Sequence, residues 1–149
     1  MTVSNLIVCS WNANGVRNKL NDLNEFLNRT EVDLMLISET KLSNKDKITI
    51  KNYNCVSYSR RNAAGGVLIL IKHNIPYKVV KIKGNTTIEN VCIKLANNVH
   101  IIAAYNRPMN VIETEDLDTL YPRPNFQVPR IRIPRCNDSY NMTKNKITI

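Results

Sequence analysis

No stretch of this chain approaches the ~20 consecutive apolar residues that a membrane-spanning helix needs, and no basic segment followed by a short apolar run opens it. Neither a membrane protein nor an exported one is expected. The four cysteines, Cys9, Cys55, Cys92 and Cys136, form no C-x-x-C pair. This argues against a zinc site or a disulfide framework, and for reduced, mostly buried thiols of an intracellular protein. Histidine is confined to His73 and His100, and acidic residues are outnumbered 12 to 21, for a formal net charge of +9 over 149 residues. Such a balance favours a polyanionic partner. More than half of the excess lies at the end: residues 121–149 sum to +5 and residues 1–120 to +4.

What is present is an alternation of element types. Leu6 to Trp11 is a short apolar run suited to a buried strand. Leu20, Leu23 and Leu27 then repeat at helical spacing behind Asn18, a candidate cap, and Asp33 to Ser38 reads as a second buried strand. Strand, helix and strand of these lengths make a βαβ unit with parallel strands. Both strand ends, Asn12 and Glu39, then emerge at the carboxyl edge where ligand sites of open α/β sheets collect. Beyond Lys41 the pattern turns to hairpins. Strands are predicted over Tyr53–Ser59, Val67–Lys72, Tyr77–Lys83, Ile88–Leu95 and Val99–Tyr105, with Ala96-Asn97-Asn98 as a tight turn. Thr114 starts a short helix carrying Leu117 and Leu120. From Tyr121 on, Pro122, Pro124, Pro129 and Pro134 interleave with arginines, which predicts an extended or disordered tail over residues 121–149.

A carboxylate beside an amide at one sheet edge, Glu39 with Asn12, is the donor chemistry of a magnesium site, since Mg²⁺ takes hard oxygen ligands and often only one or two carboxylates. Read singly, Asn12 equally suits a turn before a helix, Glu39 a loop cap or a partner for Lys41, and Tyr105 ordinary packing at a strand end.

Four landmarks stand in order: S-W-N-A-N-G-V-R at Ser10 to Arg17, L-I-S-E-T-K-L at Leu36 to Leu42, G-G-V-L-I-L-I-K at Gly65 to Lys72, and A-A-Y-N-R-P at Ala103 to Pro108. Together they resemble the endonuclease/exonuclease/phosphatase superfamily, and most closely the endonuclease domain at the front of jockey-type non-LTR retrotransposon polyproteins of insects. The resemblance covers about residues 4–120. It implies the amino-terminal half of a four-layer α/β sandwich, with a mixed, largely antiparallel sheet and a βαβ start, truncated near residue 120. It also implies Asn12, Glu39 and Tyr105 as catalytic residues, and Mg²⁺ or Mn²⁺ held by Glu39 and Asn12. DNA is the implied partner, met more weakly by Arg60, Arg61, Asn14 and Lys41, with no small-molecule cofactor and a nuclear location. The implied activity is nicking of one target-DNA strand, so that the 3′ hydroxyl primes reverse transcription.

The family's later motifs, G-D-x-N and a terminal S-D-H, are not found; at the expected place for the first the chain reads Pro134-Arg135-Cys136-Asn137-Asp138-Ser139. His73 and His100 lie in or beside the hairpin strands and take no catalytic assignment. The resemblance therefore predicts an endonuclease by descent that is inactive alone, with a non-enzymatic remnant or weak nucleic-acid binder as the alternative. A lipid or nucleotide phosphodiester substrate fits the basic charge less well. One sheet with one helix would leave the face built from Val67, Ile69, Val91 and Ile101 unpartnered, and association through that face is expected.

Overall fold

The computed structural model describes residues 5–82, 87–120 and 142–148. The chain opens with β1 (Asn5–Asn12), passes through a 3-10 turn at Arg17–Lys19 into α1 (Leu20–Arg29), and returns as β2 (Leu34–Ser38). β1 and β2 are parallel, in a register running from Val8 beside Leu34 to Asn12 beside Ser38. The expected βαβ unit is thus in place. Asn18 lies within the 3-10 turn and does not cap the helix: the residue before α1 is Lys19, which supplies no side-chain cap bond. Lys19 Nζ instead donates to Ala13 O and stands 5.8 Å from the centre of the Trp11 ring. At the other end Thr30 leaves the helical region, and its Oγ1 donates to Phe26 O at 2.7 Å.

β3 (Tyr53–Tyr58) and β4 (Val67–Lys72) follow, then β5 (Tyr77–Val80), β6 (Glu89–Leu95), β7 (His100–Tyr105), α2 (Thr114–Leu120) and β8 (Met142–Thr148). The turn between β6 and β7 has Asn98 in the left-handed region at φ +60, the conformation that asparagine tolerates best after glycine. The strands form two sheets, one in the order β3-β4-β2-β1-β8 and one in the order β5-β6-β7. This corrects the expectation of a single sheet with a bare inner face. Val67, Ile69 and Ile71 belong to the first sheet and pack in one core with Val91, Ile93, Leu95 and Ala103 of the second. A strand's alternation shows which of its residues share a face, but not which sheet it joins: Val91 and Ile101 stand in the second sheet and meet Val67 and Ile69 of the first across one core. The two inner faces cover each other, which removes the apolar surface through which association was expected.

The outer face of the first sheet carries a second core, where Leu68 and Leu70 of β4 meet Cys9, Trp11, Met35 and Ile37, beneath Leu23 and Leu27 of α1. The layers are therefore helix, sheet, sheet: an α/β sandwich with α1 on one outer face. Cys9 and Cys92 are buried and Cys55 half-buried, as thiols at such spacings were expected to be. Among the described residues no helix is long and apolar enough to cross a membrane.

The proline-rich stretch predicted to be a tail, with Cys136, lies largely outside the described residues. Its last part departs from that prediction, because β8 pairs antiparallel with β1 from Asn5 beside Thr148 to Trp11 beside Met142. All the tail's prolines precede Ser139, so nothing bars Met142–Thr148 from the ladder, and β1 would otherwise expose an edge of unpaired backbone groups.

Ile69 distinguishes a two-sheet core from a bare face. It is fully buried, so Ile69→Ala should cost about 2–5 kcal/mol, read as a shift in the urea midpoint. On a solvent-facing surface the same change would cost within about 0.5 kcal/mol.

Candidate active site

The register of β1 and β2 continues past their ends. Ala13 N donates to Ser38 O at 3.0 Å, Gly15 N to Glu39 O at 2.8 Å and Val16 N to Thr40 O at 3.0 Å. On its other side the same segment is tied to the turn before β4: Lys41 N donates to Gly65 O at 2.8 Å and Thr40 N to Gly66 O at 3.3 Å. Glu39-Thr40-Lys41 is thus held between two glycine-containing loops. The cost of this arrangement is visible in the backbone, where Asn14, Glu39 and Lys41 all lie in the left-handed region, at φ +43, +49 and +51. For non-glycine residues such conformations persist only where surrounding contacts over-determine them, and they cluster at functional sites.

Glu39 is half-buried, and Asn12 Nδ2 donates to its Oε1 at 3.1 Å. Asn12 Oδ1 accepts from Asn14 N at 3.1 Å, and Lys41 Nζ donates to Asn14 Oδ1 at 2.5 Å. Tyr105 arrives from the second sheet, at the end of β7, close enough to Glu39 for the carboxylate to act on its phenol. Burial raises the Tyr105 pKa above its ordinary value, and the nearby Glu39 and Glu89 carboxylates raise it further, against the lowering effect of Arg107. At neutral pH the phenol is therefore a donor.

Of the residues expected at the site, Asn12, Asn14, Glu39, Lys41 and Tyr105 are brought together. Arg60 and Arg61 are adjacent but diverge: Arg61 is exposed, whereas Arg60 turns inward to an acid that motif reading overlooked. That acid is Glu89, at the start of β6, whose side chain is 2% exposed. One signal could have found it. Glu89 is the only acidic residue between Asp46 and Glu113, a span that holds ten lysines and arginines, and a lone carboxylate in such a stretch has reason to be paired. His73 lies in the turn after β4, and His100 begins β7 at the end opposite Tyr105.

The donors around Glu39, one carboxylate with amide and phenol oxygens, are hard oxygen ligands that suit Mg²⁺ or Mn²⁺ completed by water and a phosphate oxygen. Among the described residues there is no cluster of three or more His, Cys, Asp or Glu able to hold a metal. A cation here would therefore take Glu39, with Asn12 beside it, and fill the rest of its shell from solvent and ligand.

A family model described as the Endonuclease/Exonuclease/phosphatase family matches residues 9–139. A probable RNA-directed DNA polymerase from transposon X-element of Drosophila melanogaster is 36% identical over 77 residues, covering 48% of this chain and 8% of that protein. Among solved structures, an AP endonuclease from Archaeoglobus fulgidus aligns with a TM-score of 0.54 at 18% identity, over 65% of this chain and 39% of its own. A 3′ phosphatase from Neisseria bound to product DNA hairpin aligns with a TM-score of 0.51 at 15% identity, over 65% of this chain and 40% of its own. At these identities the structural likeness is one of fold. The chain spans under half of the solved structures and less than a tenth of the Drosophila protein.

Two measurements check this geometry. A methyl group at Gly66, where φ is +92, would run into Thr40 Oγ1. Gly66→Ala should cost about 1–3 kcal/mol of backbone strain plus the clash. Thr40→Ala should relieve the clash, so that the double variant is more stable than the sum of the singles by roughly 0.5–3 kcal/mol. The tyrosinate band lost in Tyr105→Phe should titrate above the ordinary tyrosine value of 10.0, and Glu39→Gln should bring it down.

Proposed function

The chain belongs to the endonuclease/exonuclease/phosphatase family, and from that premise we propose that residues 1–120, whose first sheet is extended by β8, are the part of a magnesium-dependent DNA endonuclease that holds the metal and the scissile phosphate. The observation that carries this reading is the convergence of Asn12, Glu39 and Tyr105 from three strand ends in two sheets, with Asn12 donating to Glu39 and the Tyr105 phenol close to the same carboxylate. The similarity to a transposon-encoded RNA-directed DNA polymerase supports target-DNA nicking of the non-LTR retrotransposon kind.

In this reading the amide of Asn12 orients the Glu39 carboxylate through Nδ2, while its own Oδ1 is fixed by the backbone of Asn14. The neutral phenol of Tyr105 offers a hydrogen bond to a phosphate oxygen without bringing a negative charge to it. Lys41 and Arg61 supply positive charge along the approach. A divalent ion bound at Glu39 would neutralise charge on the phosphate and the departing oxygen. No residue of the group is suited to take the proton of an attacking water, because neither histidine reaches it and the G-D-x-N and S-D-H motifs are not in the sequence. General acid–base catalysis is worth about 10²- to 10⁴-fold. We therefore infer that this chain by itself binds DNA and metal but does not turn over. A nucleic-acid-binding remnant is the second reading, and the same missing motifs favour it.

Incubation with supercoiled plasmid and Mg²⁺ tests both. Mg²⁺ should tighten DNA binding, Glu39→Ala should abolish that gain, and nicked circles should not accumulate. Nicking that vanishes in Glu39→Ala would show that the site is complete as it stands. Binding indifferent to Mg²⁺ and unaffected by both Glu39→Ala and Asn12→Ala would sink the phosphodiesterase reading.

A further inference from the structure

Glu89 opens β6 directly opposite Tyr105 in the β6–β7 ladder. A carboxylate this deeply buried needs partners for both oxygens. Oε2 accepts from Gly66 N at 2.5 Å. Oε1 faces two guanidiniums, with Arg60 Nε at 2.5 Å and Arg107 Nε at 3.6 Å. The three groups come from three places: the connection between β3 and β4, the start of β6, and the segment just after β7. A side chain at Gly65 would close the pocket, since its Cβ would stand 2.6 Å from Glu89 Oε2.

Two guanidiniums against one carboxylate leave the cluster one positive charge in excess. Both arginines meet Glu89 most closely through Nε, and each guanidinium carries two Nη groups as further donors. That is the planar fork that matches phosphate oxygens. Arg107 Nη2 is buried and has no hydrogen-bond acceptor among the described residues, and a buried donor left in this state is costly unless a ligand satisfies it. The arginine side chains are 33% and 34% exposed, so an anion can approach from solvent, whereas Glu89 cannot leave. Two guanidiniums, one surplus positive charge and a buried carboxylate anchor describe a site for a phosphate.

We propose that Arg60 and Arg107, anchored by Glu89, form a second phosphate subsite that receives a backbone phosphate flanking the one held at Asn12, Glu39 and Tyr105. The identity of the ligand as DNA rests on the reading above; the subsite's preference for phosphate rests on the cluster alone. Glu89 here is a positioning residue, and this makes its effect distinctive. Removing its negative charge should weaken phosphate binding, although simple attraction would strengthen it.

Affinity for a DNA duplex, measured by fluorescence anisotropy across a salt series, tests the subsite. Arg60→Gln and Arg107→Gln should each weaken binding and reduce the salt slope by about 0.9. Glu89→Gln, which keeps an acceptor for Gly66 N, should weaken binding despite raising the net charge by one. Pyrophosphate alone provides the second arm: it should raise the melting temperature of the wild-type chain and not that of Arg107→Gln, whose own melting temperature reports its folding. A pyrophosphate shift lost in Arg107→Gln, in a chain that binds no duplex, would keep the subsite and reject DNA as its ligand. Duplex binding that still responds to Glu39→Ala, but not to either arginine change, would overturn the subsite and leave the reading of the site intact. Tighter binding in Glu89→Gln, or a pyrophosphate shift equal in wild type and Arg107→Gln, would also overturn it.

Discussion

Burial of β4 on both faces is the constraint on which the rest of the structure depends. Val67, Ile69 and Ile71 enter the core between the sheets while Leu68 and Leu70 enter the core under α1, so one strand of five consecutive buried residues belongs to two hydrophobic clusters. A strand with no polar side reads as a continuous apolar run because neither of its faces meets water. Its position between β2 and β3 then fixes the turn that precedes it. Gly65 and Gly66 in that turn pin the Glu39-Thr40-Lys41 segment on one side and receive the Glu89 carboxylate on the other. The two acids of the site, from different sheets, are thereby referred to one rigid strand.

The site itself concentrates conformational cost. Asn14, Glu39 and Lys41 are three of the six non-glycine residues with positive φ among the described residues, and all three stand at one sheet edge. Backbone bonds from Gly15, Val16, Gly65 and Gly66 hold that geometry, and strain of about 1–3 kcal/mol per residue is sustainable only with such support. The result is a supported geometry in which Asn12 donates to Glu39 with the Tyr105 phenol close to the same carboxylate, in a chain whose surplus positive charge draws anions.

Much of this was legible in the order of residues. The βαβ start, the strands through Tyr105, the left-handed turn at Asn98 and the pairing of Asn12 with Glu39 follow from apolar periodicity and from where each run stops. Other features were not legible, for separate reasons. The 3-10 turn replaced Asn18 as the entry to α1, because Lys19 found better partners in Ala13 O and the Trp11 ring. β8 followed from an open edge on β1, a property of the sheet and not of Met142–Thr148. Glu89 gave only the compositional hint of a solitary acid in a basic span, with no motif around it.

By itself the sequence determined the family and the local grammar: apolar runs that must be buried, polar ends that must emerge, glycines where a side chain would collide. These are short-range consequences of side-chain chemistry and backbone sterics, and they hold wherever the segments come to lie. Only the tertiary structure decided that the strands divide into two sheets and that Tyr105 crosses from the second to meet Glu39. It also decided that Arg60 and Arg107, 47 positions apart, share one buried oxygen. Such contacts depend on how separate elements pack, and the period of a strand says nothing of which neighbour its face will find.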